Sequence, residues 1–286
     1  MSRTGRVITL TTDFGLEDGY VGTVKGVILS INPHVTLVDF THQVSPQDVS
    51  DAAFVLGTSY QYFRSDTIHV VIVDPGVGSE REALAVRTPG GVFVGPDNGV
   101  LTWPILDELG TTASSRSGHV ALPDGGSVKA VRLTESKFWL RNPSRTFHAR
   151  DIFGPVAAYL SLGTPMESLG QEARDVRVLP VPVPRWRSSG RVDGEVLKVD
   201  HFGNLITNLK ARDLERLGGG VTFAVAGQEI RGLSSFYGEK PGLLALIGSS
   251  GYVEIAVQNG SAAKALETGR GATVTAKKTS KDGGNA

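Results

Sequence analysis

Apolar and polar positions follow two distinct rhythms along the first half of the chain. Residues 6–12 (RVITLTT) are rich in β-branched side chains and predict a strand. Over 19–31, Val21, Val24, Ile28 and Ile31 recur every three or four positions, the stripe of an amphipathic helix, which Asn32-Pro33 ends. Residues 35–40 (VTLVDF) predict a second strand. Pro46 suits the first turn of a second helix, whose stripe continues through Val49, Ala52, Ala53, Leu56 and Tyr60. Residues 67–73 (TIHVVIV) are almost continuously apolar, as expected of a central parallel strand covered on both faces. A hairpin is expected from 83–87 and 91–95, and a further helix from 151–162, stopped by Gly163. Strands alternating with helices predict an α/β layered domain over 1–175.

The rhythm then changes. Residues 176–187 read VRVLPVPVPRWR, with prolines at alternate positions 180, 182 and 184, which makes 176–190 an extended, Pro-rich candidate linker. Beyond Gly190 the apolar runs are short and strand-like, at 194–199, 205–209, 221–226, 243–247, 252–257 and 272–277, with turn residues between them. That texture predicts a smaller C-terminal all-β barrel domain over 191–277. The polar end, 278–286, is expected to be a disordered tail.

Composition narrows the chemistry. The 286 residues hold 29 Lys+Arg and 29 Asp+Glu, so the chain lacks the basic excess that nucleic-acid and anionic-membrane surfaces require. There is no Cys, which excludes disulfides, thiolate metal sites, iron–sulfur clusters and cysteine nucleophiles. No run reaches the roughly 18 apolar residues of a membrane span. The apolar stretch at the N-terminus breaks at Asp13, unlike a signal peptide. A cytoplasmic protein without membrane or nucleic-acid partners is the expectation. Gly is in excess, 36 residues against an average share of about 7%, and its placement is informative.

Ligands of open α/β sheets bind beyond the carboxyl ends of the strands. The predicted strands end in TTDFG (11–15), DFTH (39–42), DPGVG (74–78) with Arg81 beyond, and PDNG (96–99). Asp13, Asp39, Asp74 and Asp97 thus close four consecutive strands, among glycines that permit sharp turns or a close approach of backbone to ligand. Each acid alone also fits a helix cap or a turn, and His42 also fits a loop hydrogen bond. The convergence of several such ends favours a site. His148 precedes the 151–162 helix, with Asp151 placed to cap it. In the second domain DHFGN (200–204) joins two strands; it fits an ordinary hairpin turn, or an aromatic and an amide holding a planar heterocycle. GSSGY (248–252) is similar. The dinucleotide fingerprint, the phosphate loop and the nucleophile elbow are all absent. The six histidines never fall into H-x-H or H-E-x-x-H spacing, so no metal site is expected.

Taken in order, TTDFG (11–15), DFTHQV (39–44), VDPGVGSER (73–81), PDNG (96–99), TFHARDIFGPVAA (146–158), DHFGNLITN (200–208) and GSSGYVEIAVQNGSAA (248–263) form a familiar set. The chain resembles the S-adenosyl-L-methionine (SAM) hydroxide adenosyltransferases, adenosine-forming SAM hydrolases related to the SAM-dependent fluorinase and chlorinase. The resemblance covers nearly the whole chain. It implies an α/β N-terminal domain, a C-terminal β-barrel, and a homotrimer with each site between the N-terminal domain of one subunit and the C-terminal domain of its neighbour. The implied reaction is in-line attack of water on the ribose C5′ of SAM, giving adenosine and L-methionine, with SAM as substrate and no cofactor.

The resemblance also implies roles, motif by motif. Asp74, Arg81 and His148 match the groups that bind and activate water. Asp13 matches the carboxylate that takes both ribose hydroxyls. Phe202 and Asn204 match the adenine stack and its hydrogen bond, and Tyr237 adds a second aromatic wall. Asp200 matches the partner of the methionine ammonium, and Ser249 a contact to its carboxylate. Asn259 and Ala262 lie in the segment that closes over the adenine edge. Against the halogenases, Asp74 stands where the fluorinase has a Tyr, Gln47 where it has a Trp, and Ser250 where it has the Arg that binds the methionine carboxylate. An anionic Asp74 repels halide and favours water. The alternatives are a SAM-dependent halogenase and a non-catalytic SAM- or adenosine-binding module.

Overall fold

The computed structural model describes residues 6–110, 118–187 and 190–279. They form two compact units, divided along the chain between Pro180 and Val181. No helix among the described residues is long and apolar enough to cross a membrane.

The first unit contains β1 (Val7–Thr12), α1 (Tyr20–Ile31), β2 (Thr36–Thr41), α2 (Val49–Gly57), β3 (Ile68–Ile72), β4 (Ala83–Thr88), β5 (Gly91–Pro96) and α3 (Thr102–Leu109). It continues with β6 (Gly118–Ala121), β7 (Lys129–Leu133), α4 (Gly154–Ser161), β8 (Gly170–Ala173) and β9 (Asp175–Val178). Seven strands make one sheet in the order β2-β1-β3-β5-β4-β7-β8, while β6 pairs with β9 alone. The β2, β1, β3 and β5 pairings are parallel, and β4, β7 and β8 are added antiparallel. Alternate residues of β3 serve opposite layers. Ile68, Val70 and Ile72 pack with Ile28, Phe153 and Val156, whereas Val71 packs with Ala52, Leu56 and Ile105. Burial on both faces explains why this strand reads as an unbroken apolar run.

Two helix starts differ from the sequence reading. The second helix begins at Val49, not Pro46, because Gln47 takes φ 64° and Asp48 becomes the cap, accepting the Asp51 N–H. Tyr60 falls in a separate 3₁₀ turn. The 151–162 helix enters through a π turn, Ala149–Phe153, before α4. Asp151 does not cap it: its buried carboxylate lies inside the π turn and accepts the Ser144 N–H at 2.8 Å.

The second unit contains β10 (Arg185–Arg187), β11 (Arg191–Val199), β12 (Leu205–Lys210), α5 (Ala211–Leu217), β13 (Val221–Val225), β14 (Gln228–Arg231), β15 (Leu243–Ile247), β16 (Tyr252–Val257), α6 (Ala262–Ala265) and β17 (Thr273–Lys278). All eight strands pair antiparallel, in the order β14-β13-β17-β11-β12-β16-β15 with β10 on β11. A bridge between Ser234 and Leu246 brings the two ends of the path together, so the sheet is a nearly closed barrel. Val192, Val196, Leu205, Phe223, Ile255 and Val274 fill its interior. Within the expected linker 176–190, Val176 to Val178 belong to β9 and β10 occupies Arg185–Arg187, leaving 179–184 as coil. Of the expected tail, Lys278 ends β17, and 280–286 lie outside the described residues.

Candidate functional site

In the first unit the chemistry collects at the carboxyl end of β3. Asp74 opens a tight turn in which Val77 N–H donates to Asp74 O and Ser79 N–H to Gly76 O. The Asn98 amide donates to Val73 O at 2.8 Å and fixes the strand end from the side. The turn returns Arg81 onto Asp74. Its Nε lies 3.0 Å from both carboxylate oxygens, and its Nη2 is 2.5 Å from Oδ2. The pair is well buried, with 11% and 6% of the two side chains exposed. The same Nη2 donates to His148 Nδ1 at 2.7 Å. A guanidinium only donates, so Nδ1 is the acceptor and the neutral ring carries its proton on Nε2. Burial, then the Arg81 charge, lowers the His148 pKa below its ordinary value. The structure thus joins Asp74, Arg81 and His148, the three residues that the family resemblance groups, through one guanidinium.

His148 is placed by the segment before it. The Asp151 carboxylate ties back the Ser144 N–H and binds Arg150 at 2.7 Å. Burial raises the Asp151 pKa, but the bonds from Arg150 and Ser144 outweigh it and hold the carboxyl low. Gly78, at φ 78°, lets the β3 turn pass beneath the same segment: a Cβ there would sit 2.2 Å from Arg145 O. Phe147 packs edge-on against Phe14 and Tyr20, which are tilted on each other, with ring centroids 5.3–6.0 Å apart, and this cluster brings the Asp13 loop against the His148 segment.

Asp13, Phe14, Gln47, Asp74, Phe147 and His148 line an open cleft of about 330 Å³. Asp13 Oδ2 accepts the Gln47 N–H at 2.8 Å. The other two strand-end acids serve the fold. Asp39 binds Lys25 and His42. Asp97 is buried and accepts the Arg177 N–H at 2.7 Å, and its burial raises its pKa. A strand end places a residue at the right edge of a sheet, yet the path of the next loop decides whether its side chain meets the cleft.

The second unit carries its own cluster. Asp200 Oδ1 accepts the N–H groups of Phe202 and Asn204, and its Oδ2 accepts the Asn204 amide at 2.9 Å. That Asx-type turn leaves Phe202 74% exposed while Asn204 is buried. An exposed aromatic face on a rigid turn is suited to stacking on a heterocycle. Tyr237 donates its hydroxyl to Glu254 Oε2 at 2.7 Å. Burial and this bond raise the Tyr237 pKa; burial and the Asp200 charge raise that of Glu254. Ser249 is exposed on the β15–β16 turn, and Asn259 is exposed at φ 54°. Ala262 is buried at the start of α6, beside the Gly203 carbonyl that accepts the Ala263 N–H.

Glu254 is the residue the sequence reading passed over. It sits inside the 248–263 motif, where strand alternation with the interior residues Val253 and Ile255 marks it as outward, yet it is buried. Gly248 is there for it: a Cβ at 248 would overlap the Glu254 carboxylate. At Gly78 and Gly248 the missing side chain permits close approach within the chain. Among the described residues no cluster of three or more His, Asp or Glu is arranged to hold a metal ion.

Comparison with known proteins matches the two units in order. The family model described as the SAM hydroxide adenosyltransferase N-terminal domain matches residues 8–170, and that of the C-terminal domain matches 194–275. An (R)-S-adenosyl-L-methionine hydrolase from Salinispora tropica is 39% identical over 262 residues, covering 91% of this chain and 93% of the relative. One from Thermus thermophilus is 37% identical over 265 residues, covering 91% and 95%. A fluorinase from an Actinoplanes species is 26% identical over 238 residues, covering 74% of each chain. The crystal structure of an uncharacterized conserved protein from Thermotoga maritima superposes with a TM-score of 0.82 at 33% identity, over 95% of this chain and all of that one. With both family models matched in order and whole-length relatives well above 30% identity, the chain belongs to the SAM hydroxide adenosyltransferase family.

Proposed function

We propose that the protein hydrolyses SAM to adenosine and L-methionine, as a cytoplasmic homotrimer. The observation that carries this reading is the Asp74–Arg81–His148 group at the edge of the cleft that also contains Asp13. Water attacks the ribose C5′ in line with the departing sulfur. An O–C5′ bond forms, the C5′–S bond breaks, and its electron pair turns the sulfonium into neutral thioether. One water proton stays on the adenosine 5′-hydroxyl and the other is released. The leaving group is already activated by its positive charge, so the reaction calls for no metal. Asp74 orients the water as an acceptor, and the Nε2–H of His148 with the Arg81 charge stabilises hydroxide character on it. Held close and in line, the nucleophile gains the advantage of proximity.

Binding follows the same division. Asp13 takes the two ribose hydroxyls, Phe202 and Tyr237 stack on adenine, Asn204 binds its edge, and Asp200 and Ser249 hold the amino-acid end. Asn259 and Ala262 belong to the segment over the adenine edge. Each complete site combines the first unit of one subunit with the second unit of its neighbour.

Incubation of the purified protein with each sulfonium epimer of SAM, in halide-free and in chloride-rich buffer, tests the reading. Adenosine and methionine in equal amounts in both buffers support it, with rates unchanged by a chelator. Chlorodeoxyadenosine identifies a halogenase, and intact SAM bound tightly identifies a binding module. The Asp74→Asn variant is the informative one. Asp74→Ala strands the buried Arg81 charge, a change that typically destabilises by about 3–5 kcal/mol. The amide keeps the shape, and it is expected to retain SAM binding while kcat falls at least about a hundredfold.

A further inference from the structure

Beneath the Asp13 loop lies a chain of hydrogen bonds that the reaction above does not use. His42 is 3% exposed. Its Nδ1 lies 2.8 Å from Thr12 Oγ1 and its Nε2 lies 3.0 Å from Asp39 Oδ1, while Lys25 Nζ donates to Asp39 Oδ2 at 2.6 Å. The donor directions follow from the ends of the chain. An ionised carboxylate only accepts, so Nε2 carries the ring proton toward Asp39. Burial raises the Asp39 pKa, but the bonds from Lys25 and His42 outweigh it and keep the group ionised. In the neutral ring Nδ1 then accepts the Thr12 hydroxyl proton. That leaves the Thr12 oxygen free to accept the Phe14 N–H at 3.2 Å.

Hydroxyl, imidazole and carboxylate stand here in the order of a nucleophilic triad. Thr12 is only 4% exposed, however, and both its proton and its oxygen are engaged within the chain. The group therefore acts on the loop and not on a substrate.

The backbone of the same segment grips that loop at further points. Gly15 N–H donates to His42 O at 2.8 Å, Val44 N–H to Thr12 O at 3.4 Å, and Gln47 N–H to Asp13 Oδ2 at 2.8 Å. Gln47 makes its bond from φ 64°, a left-handed conformation that a residue with a side chain adopts only when its surroundings enforce it. Thr12, Asp13, Phe14 and Gly15 are each fixed, directly or through Thr12, by residues 42–47. We infer that His42 and Gln47 are positioning residues that preset the Asp13 carboxylate for a vicinal diol before substrate arrives. Such presetting removes the ordering cost from the binding step. The inference rests on the reading of Asp13 as the ribose-binding carboxylate.

Calorimetric binding of adenosine and of 2′,3′-dideoxyadenosine to the intact protein, together with SAM kinetics, provides the test. The wild type prefers adenosine, and Asp13→Ala removes that preference. His42→Leu is expected to weaken adenosine about tenfold with the dideoxy affinity unchanged. It raises KM for SAM in parallel, with kcat moving less than about threefold. His42→Asn, whose amide oxygen can still accept the Thr12 proton, restores most of the loss. Thr12→Val reproduces the loss, and combining it with His42→Leu adds little, as expected for one shared contact; it serves also if His42→Leu does not fold. An adenosine preference lost in Asp13→Ala but intact in the His42 and Thr12 variants overturns this inference alone. A preference untouched by Asp13→Ala overturns the ribose reading and the inference with it.

Discussion

Arg81 Nη2 reaches Asp74 Oδ2 and His148 Nδ1 together. Protonation of His148 would set two donors against each other at that contact, so the neutral ring is the form that holds the site together. The His148 pKa is lowered by burial and by Arg81, which extends the neutral form to lower pH. Rates should therefore be steady around neutrality and fall on the acid side, with an apparent pKa below the ordinary histidine value of about 6.5. A pH profile of kcat/KM checks this, and His148→Asn should flatten the acid limb while lowering the plateau. At this scale the sequence was informative about identities. Asp74, Arg81 and His148 were visible as polar residues at element ends, 7 and 67 positions apart in the two contacts. What it could not convey was direction. Asp39 and Asp97 occupy equivalent strand ends but turn to Lys25 and to the Arg177 backbone, because side-chain direction beyond a strand depends on the following loop. Glu254 was hidden for the opposite reason: a charged residue in a strand reads as solvent-facing until a partner such as Tyr237 is known.

The elements β1, α1, β2, β3, the β4–β5 hairpin and most barrel strands were legible because each has a clear period or a β-branched apolar run. β14 was not, since its sequence, QEIR, alternates with a single buried apolar residue, Ile230. The starts of α2 and α4 were misplaced because backbone conformations decide them: the left-handed Gln47 and the π turn at Ala149–Phe153. π turns of this kind cluster at functional sites, and this one begins immediately after His148. The β3 turn and the His148 segment touch at Gly78, where a Cβ would meet Arg145 O at 2.2 Å. Gly78→Ala should then push the 145–148 segment outward. We expect destabilisation of about 2 kcal/mol from strain and overlap, with kcat reduced more than adenosine affinity, read by urea unfolding and calorimetry. β3 also carries His69, 1% exposed, stacked on Phe93 and bonded through Nδ1 to Thr9, with no hydrogen-bond partner for Nε2 among the described residues. Burial lowers its pKa from 6.5 to about 4. Below pH 6.5 the unfolded chain binds a proton that the folded chain refuses, so the contribution is complete above 6.5 and is lost as pH falls toward 4. The loss amounts to about 3 kcal/mol. Urea titrations across that window should show it, and His69→Phe should remove most of the slope.

Across the whole molecule, the proposed functions divide between two separately packed units. The first holds Asp13, Asp74, Arg81 and His148 on an α/β sheet; the second holds Asp200, Phe202, Asn204 and Tyr237 on a barrel. Under the proposed function neither set would suffice, because one would activate water and bind ribose while the other would hold the base and the amino acid. If each site joins the first unit of one subunit to the second unit of the next, inactive chains should rescue one another. Asp74→Asn disables the first unit and leaves the second intact. Asp200→Ala does the reverse. Each homo-oligomer is expected to be inactive. When equal amounts are unfolded together and refolded, about a quarter of the sites in randomly mixed rings receive two intact halves. Activity should recover toward that fraction of the wild-type level, and mixing without unfolding should recover little if subunits exchange slowly. Absence of recovery after refolding, with oligomers of the expected size present, would assign both halves to a single chain. The measurement thus separates assembly as a requirement for chemistry from assembly as a source of stability, since only the former predicts that two dead proteins make a live one.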